Sequence, residues 1–214
     1  MLLLFSVSAK LEVSPSRPPI LVFGLWIAIT FVGLAALMVY SSTPGRQGAP
    51  PFQWPPSSAL RLAPDRSTLV MFLHPKCPCS QASLSELSTI LAHSAGRLHV
   101  DVVFLRPSAQ PESWTSTASW RSAVTLPETS STNDPAGREA RLFHVFVSGE
   151  TLVYDRSGNL QFHGGITGSR GHAGDNPGCS SIQTYLNTGK VLVARTPVFG
   201  CPLFDDSAPV EPRT

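Results

Sequence analysis

Charged residues are scarce in this chain, and they do not cluster by sign. They make up 14% of the 214 residues, with 16 Lys and Arg against 14 Asp and Glu, for a formal net charge of +2. A nearly neutral chain without a basic patch gives no electrostatic reason to expect a nucleic-acid partner. The sequence also lacks the Gly-rich phosphate loops, the G-x-S-x-G elbow and the paired carboxylates that would indicate a nucleotide-binding protein or a hydrolase.

Cysteine is scarce as well. Four residues are too few for a disulfide-stapled scaffold, but they are enough for a reactive pair and two others. Cys77 and Cys79 are almost adjacent, whereas Cys179 and Cys201 lie far down the chain. In an oxidising compartment Cys179 and Cys201 could form a disulfide. Equally, either could be an unpaired thiol or an alternative resolving partner for Cys77.

One apolar run stands out near the N-terminus. Residues 20–40 contain no charge, and as a helix they would span about 31 Å, which matches the hydrocarbon core of a bilayer. The run is longer than the apolar region of a cleaved signal peptide and does not end in an A-x-A-like site. We expect a transmembrane helix. Lys10 and Arg17 precede it and Arg46 follows, which favours a cytoplasmic tail over residues 1–19 and an extracytoplasmic (periplasmic) domain.

Residues 41–58 follow this run and contain five prolines without apolar periodicity. Such a composition predicts a semi-extended linker that holds the domain off the membrane. The alternative is an ordered loop that packs through Phe52 and Trp54.

The next part of the chain, residues 59–190, has the length of one ordinary domain. Residues 67–73 form a short apolar run typical of a buried strand, and residues 98–105 form a second. Between them, residues 80–95 place Leu84, Leu87, Ile90 and Leu91 on one face, the spacing of an amphipathic helix. Two such strands around a helix predict a βαβ unit with parallel strands.

The remaining elements are shorter. Residues 106–133 read as a loose insertion with one amphipathic helix around Trp114 and Trp120, and residues 134–143 as a short helix. Two strands are predicted over residues 142–154 and 159–166, joined by a hairpin turn, and a final helix over residues 180–186. Residues 191–214 are a C-terminal extension. The pattern predicts an α/β protein with a central mixed sheet flanked by helices.

The cysteine pair follows the first strand. Cys77 lies where that strand meets a helix, and the free N–H groups and partial positive charge of a helix start stabilise a thiolate. Lys76 adds a full positive charge beside it. We therefore expect Cys77 to be a nucleophile with a lowered pKa, with Lys76 tuning the thiolate and Cys79 within reach to resolve a mixed disulfide.

This region resembles the thioredoxin superfamily. Residues 72–77 (FLHPKC) look like the stretch before the first cysteine of its C-x-x-C motif, but the second family cysteine falls on Ser80, and the spare thiol gives C-P-C. A C-x-C disulfide closes a tighter ring, and strained disulfides are more oxidising, so the pair should favour oxidation or isomerisation of client thiols.

Later residues carry the resemblance further. Residues 134–143 and 146–158 are similar to the helix, strand and hairpin of membrane-tethered thioredoxin-like proteins, with residues 147–149 (VSG) in place of the usual cis-proline. The layout is also faintly similar to bacterial proteins labelled RedB, from which no residue is carried over. The resemblance implies a thioredoxin-like fold and a membrane-anchored thiol–disulfide oxidoreductase that acts on protein thiols or disulfides and needs no cofactor.

Two other functions fit the same residues. His74, Cys77 and Cys79 gather three soft or borderline ligands in six residues, and exposed C-x-C thiolates suit Cu(I). His172, in a Gly-rich loop, could add a fourth ligand, which would make the protein a copper-binding or copper-delivery protein. The other alternative is a non-catalytic thioredoxin-like binding module with a structural C-P-C turn.

Overall fold

The structure is a computed structural model, which describes residues 20–204. The chain divides into two compact units, of which the first ends at Met38 and the second begins at Val39. The predicted apolar helix is present as α1, Ile20–Ser42, and by length and composition it is long and apolar enough to cross a membrane. The tail predicted over residues 1–19 lies outside the described residues, as does the end of the C-terminal extension.

Five strands form one mixed sheet in the second unit, in the order β3-β2-β1-β4-β5. The strands are β1 (Ser67–Leu73), β2 (Leu98–Arg106), β3 (Thr129–Pro135), β4 (Glu150–Tyr154) and β5 (Leu160–Gly164). β1, β2 and β3 run parallel, whereas β4 is antiparallel to β1 and β5 is antiparallel to β4. The helices are α2 (Ser80–Ser94), α3 (Ala118–Val124), α4 (Arg138–Leu142) and α5 (Pro177–Thr188), with a 3-10 turn at Glu112–Thr115. The predicted thioredoxin-like fold is confirmed.

The middle strand, β1, is buried on both faces. Alternate side chains of a strand point to opposite faces of its sheet. Leu69, Met71 and Leu73 therefore join the core beside α2 and α5, while Val70 and Phe72 join a second core on the other face. Both cores hold β1 in place, and with it the chain that follows Leu73.

The insertion between β2 and α4 differs from its prediction. It contains α3 and also β3, an edge strand that the sequence pattern did not indicate. The helix predicted over residues 134–143 is shorter, because Asp134 belongs to β3. The Asp134 carboxylate accepts the N–H groups of Glu139 and Ala140 at 2.9 Å each, so it caps α4 from outside the helix.

The predicted hairpin is present but shorter than expected at its start. Residues 142–149 do not belong to a strand, because α4 continues to Leu142 and β4 begins at Glu150. The turn is closed by Asp155, whose carboxylate accepts the N–H groups of Ser157 and Asn159 at 2.8 and 2.9 Å.

Residues 41–58 do not form the extended spacer that their composition predicts. The Trp54 ring packs edge-on against Phe143 and Tyr154, and its centroid lies 5.1 and 5.2 Å from theirs. The backbone N–H of Trp54 donates to Gly158 O at 2.8 Å. Phe52 in the same stretch stays 67% exposed. The prolines stiffen the stretch, but aromatic burial holds it against the domain.

The described part of the C-terminal extension, residues 191–204, also packs on the domain. Thr196 N–H donates to His163 O at 3.2 Å, and Gly45 N–H donates to Val198 O at 2.8 Å. The side chains of Val198 and Leu203 are buried. We call residues 194–203 the C-terminal strap.

The packing of Trp54 leads to a stability prediction. We expect Trp54→Ala in the full chain, purified in detergent, to lower the free energy of unfolding by about 2 kcal/mol, because a half-buried ring loses two aromatic contacts. Phe52→Ala is the matched control and should change it by less than about 0.5 kcal/mol. Urea unfolding followed by circular dichroism measures both. Equal effects of the two substitutions would contradict the packing of residues 41–58 on the domain through Trp54.

Candidate functional site

Cys77 lies in the turn that joins β1 to α2. β1 ends at Leu73 and α2 begins at Ser80, with Cys79 in the position just before the helix. No side chain caps the start of α2, so its first N–H groups keep their partial positive charge near the cysteines. The strand-to-helix position predicted for Cys77 is therefore present.

Three hydrogen bonds hold this turn in one conformation. The N–H of Cys77 donates to His74 O at 3.0 Å, and the Ser80 hydroxyl donates to the same oxygen at 3.1 Å. From α3, the Ser119 hydroxyl donates to Pro75 O at 2.9 Å. The backbone that carries the two sulfurs is therefore fixed from within the turn and from outside it.

Ser148 faces the cysteines from the segment before β4. Its hydroxyl accepts the N–H of His74 at 2.9 Å and lies 3.3 Å from the Ser80 hydroxyl. It also hydrogen-bonds the Cys77 thiolate. Residues 147–149, where the resemblance would place a cis-proline, contain no cis peptide bond, and Ser148 presents its hydroxyl group there.

The Cys77 thiol is buried, with 5% of the residue exposed, and the Cys201 sulfur lies 3.0 Å from it. Burial alone would raise the pKa of Cys77. The hydrogen bonds from the Cys201 thiol and backbone, the Cys79 backbone and the Ser148 hydroxyl outweigh it, and they hold the pKa below the usual 9.0. The lowered pKa makes Cys77 the thiolate of the site.

Cys79 has the opposite character. Burial, and then the negative charge of the neighbouring Cys77, raise the pKa of Cys79, while the Arg170 guanidinium acts against that rise. Cys79 is therefore the protonated partner when Cys77 is ionised. The pKa values of the two thiols are therefore shifted in opposite directions.

Lys76 is exposed and turns to an aromatic ring. Its ammonium Nζ lies 3.3 Å from the centre of the Trp114 ring, a cation–π contact. The largest contributions that lower the pKa of Cys77 come from hydrogen bonds with Cys201, Cys79 and Ser148. Lys76 was the residue expected to tune this thiol, and no local sequence pattern indicates Ser148.

The four residues of the copper interpretation are not gathered into a site. His74 Nδ1 accepts the N–H of Lys76 at 3.2 Å, and His172 Nδ1 lies 2.8 Å from Arg170 O. Within residues 20–204, no group of three or more His, Cys, Asp or Glu side chains is arranged to hold a metal ion.

The two distal cysteines are not paired with each other. Cys179 is buried in α5, where its thiol donates to Glu86 Oε2 at 3.2 Å and its N–H donates to the capping Asn176 side chain at 2.9 Å. Cys201 instead lies beside Cys77. The disulfide considered between Cys179 and Cys201 is therefore absent, and Cys201 joins the site.

No family model and no curated protein matches the chain. Among solved structures, a hypothetical protein from Sinorhizobium meliloti is similar at 19% identity and a TM-score of 0.55, covering 75% of this chain and 93% of that one. An uncharacterized conserved protein from Geobacillus kaustophilus is similar at 18% identity and a TM-score of 0.56, covering 78% and 95%.

A third match is a secreted disulfide oxidoreductase from Mycobacterium tuberculosis. It is 16% identical, with a TM-score of 0.37, and covers 46% of this chain and 68% of that one. A similarity this distant carries no argument about the present chain. At these identities the matches show the fold alone, and they do not test the resemblance to proteins labelled RedB.

The Ser148 contact leads to a prediction about pH. A lowered pKa means that the Cys77 thiolate persists below pH 9.0, so its alkylation rate should reach half-maximum below that pH. Ser148→Ala removes one hydrogen bond to the thiolate and should move the midpoint upward. Iodoacetamide alkylation of Cys77, followed by peptide mass spectrometry across pH, measures the shift.

The matched control is Ser157→Ala, in the exposed turn of the β4–β5 hairpin, which should leave the midpoint unchanged. A downward shift, or no shift, in Ser148→Ala would contradict the role given to Ser148.

Proposed function

We propose that this protein is a thiol–disulfide oxidoreductase that acts on protein thiols or disulfides through its C-P-C motif. One observation carries the proposal. The Cys77 thiol has a lowered pKa, lies at the start of a helix, and is in contact with the Cys201 sulfur. A thiolate in such a position is the attacking group of thiol–disulfide exchange.

In this reaction the Cys77 thiolate attacks one sulfur of a client disulfide. A mixed disulfide between Cys77 and the client forms, and the other client sulfur leaves as a thiolate that takes up a proton. A second protein thiol then attacks Cys77 and releases the client. Cys79 is the candidate within the motif, and its protonated state keeps it from competing with Cys77 for the first attack. Lys76 adds positive charge to the surface that a client meets.

We also propose that α1 anchors the protein in a membrane, with the catalytic domain on the extracytoplasmic side. The length and composition of the helix support the anchor. The excess of Lys10 and Arg17 over Arg46 around it supports the orientation. An oxidising compartment would suit a protein that exchanges disulfides.

The reaction predicts that Cys77 is indispensable. Cys77→Ser in the full chain should lower exchange with a self-quenched glutathione disulfide probe by about 100-fold or more, because the attacking thiolate is lost. Cys179→Ser is the matched control, a buried thiol outside the site, and should stay within about twofold. Activity retained in Cys77→Ser would overturn the proposal.

The wild-type chain, Cys77→Ser and Cys79→Ser together separate this function from copper binding. Cu(I) titration against a competing chelator should find no tight site in the wild-type chain. Tight Cu(I) binding, lost equally in Cys77→Ser and Cys79→Ser and accompanied by no exchange activity, would favour the copper protein instead. Neither activity would favour the binding module.

The orientation makes a separate prediction. Ser157→Cys places a thiol in the exposed hairpin turn, and a membrane-impermeant maleimide should label it in intact cells, or in spheroplasts where an outer membrane is present. The chain without the new cysteine is the control for background labelling. Labelling that requires lysis would place the domain on the cytoplasmic side.

A further inference from the structure

The C-terminal strap crosses the site along the segment before β4. Ser148 N–H donates to Cys201 O at 2.9 Å, and Leu203 N–H donates to Phe146 O at 2.8 Å. Between these two bonds, Val147 and Pro202 form an antiparallel bridge. The strap is therefore held by backbone pairing at Cys201 and at the two residues that follow it.

Two further contacts set how close the strap comes. A Cβ on Gly200 would collide with the backbone oxygen of Ser148, so this position requires glycine. The Arg170 guanidinium donates from Nη1 to Gly200 O at 2.6 Å. Gly200, which directly precedes Cys201, therefore permits the strap to approach Ser148 closely, and the bond from Arg170 holds it there.

The result is a sulfur-to-sulfur contact. The Sγ atoms of Cys77 and Cys201 are 3.0 Å apart, about 1 Å more than in a disulfide. The two residues are 124 positions apart in the chain, and Cys201 reaches the contact from a segment outside the active-site turn. Cys79, by contrast, is fixed by the start of α2 and separated from Cys77 by Pro78 alone, which leaves a small and rigid ring for a Cys77–Cys79 disulfide.

We propose that Cys201 is a catalytic thiol, the resolving partner that forms a disulfide with Cys77 and releases the client. This inference rests on the thiol–disulfide exchange proposed above and assigns its second step to the C-terminal strap. Cys79 is then a third thiol beside the pair, and Arg170 is a positioning residue.

The step is balanced as follows. In the mixed disulfide, Cys77 is bonded to a client sulfur. The Cys201 thiol loses its proton, its sulfur attacks the Cys77 sulfur, the Cys77–Cys201 bond forms, and the client sulfur leaves as a thiolate that takes up a proton. Over both steps the client disulfide gains two electrons and two protons, and the Cys77–Cys201 dithiol loses them. The reverse sequence passes the disulfide to a client dithiol.

The electrostatics give the two thiols an order of action. Burial, followed by the hydrogen bond and the negative charge of Cys77, raises the pKa of Cys201 to about 12. Cys201 therefore stays protonated while Cys77 is a thiolate, and it stabilises that thiolate by its hydrogen bond. Once Cys77 is bonded to a client its charge is gone, and the Arg170 charge still lowers the pKa of Cys201. The pKa of Cys201 therefore falls after the first attack, because the contributions of the Cys77 thiolate are lost while that of burial remains.

Disulfide mapping of the wild-type full chain tests the pairing. The protein in detergent is equilibrated with glutathione disulfide, blocked with N-ethylmaleimide and digested with trypsin. Cleavage after Lys76, Arg97, Arg195 and Arg213 places Cys77 and Cys79 in residues 77–97 and Cys201 in residues 196–213. We expect these two peptides to be disulfide-linked, and still linked in Cys79→Ser, where the bond must involve Cys77.

Variants then test the resolving role. Cys201→Ser should accumulate glutathione bonded to Cys77 at least about tenfold over the wild type, because attack still occurs and resolution does not. Gly200→Ala, which keeps both sulfurs, should slow formation of the linked peptides by about tenfold. Cys179→Ser is the matched control and should behave as the wild type does.

Two results would overturn the inference. One is an internal Cys77–Cys79 disulfide with residues 196–213 unlinked in the wild type. The other is accumulation of the glutathione adduct in Cys79→Ser but not in Cys201→Ser. Either result would leave the loss of exchange in Cys77→Ser untouched, so the proposed function would survive. A linked Cys77–Cys201 pair in a chain without exchange activity would instead remove the proposed function and mark the pair as structural.

Discussion

The burial of β1 on both faces is the constraint on which the site depends. Its alternating side chains are shared between two cores, so the strand has no freedom to slide or tilt without opening one of them. Because His74 follows β1 directly, the turn that carries Cys77 inherits this rigidity. Its hydrogen bonds to Ser80, Ser119 and Ser148 then need only orient a backbone that is already placed. A thiol held this firmly keeps its hydrogen-bond partners, and those partners lower its pKa.

Ser148 has two effects on the same small volume. Its hydroxyl group hydrogen-bonds the Cys77 thiolate, and its N–H donates to the carbonyl oxygen of Cys201. A proline at this position would supply neither group. One residue therefore stabilises the Cys77 thiolate and holds the strap that brings the Cys201 sulfur to it. In this chain the face beside the cysteines is occupied by the protein's own C-terminal segment.

The elements predicted well are those whose signal lies in their own residues. β1 has a continuous apolar run, α2 has an apolar stripe, and the Asp155 turn has hairpin chemistry. β3 was missed because an edge strand with alternately exposed polar side chains pairs through its backbone alone. The docking of Trp54 and the contact of Cys201 with Cys77 depend on residues about a hundred positions away, and no local pattern encodes such contacts. The resolving partner of Cys77 was one of several alternatives predicted for Cys201, and no local pattern distinguished among them.

In the proposed Cys77–Cys201 disulfide, the separation of 124 residues would link the redox state of the site to the stability of the whole domain. A covalent bond across a loop of that length removes conformational entropy from the unfolded chain, by about 5 kcal/mol in the chain-entropy model, whereas a ring closed within the C-P-C turn removes far less. By thermodynamic linkage, the free energy by which the disulfide stabilises the folded state equals the free energy by which folding stabilises the disulfide. Folding therefore favours the long-range disulfide and lowers its reduction potential. A denatured chain would lose this preference, so the oxidising strength of the protein would be a property of its fold and not of its cysteine motif.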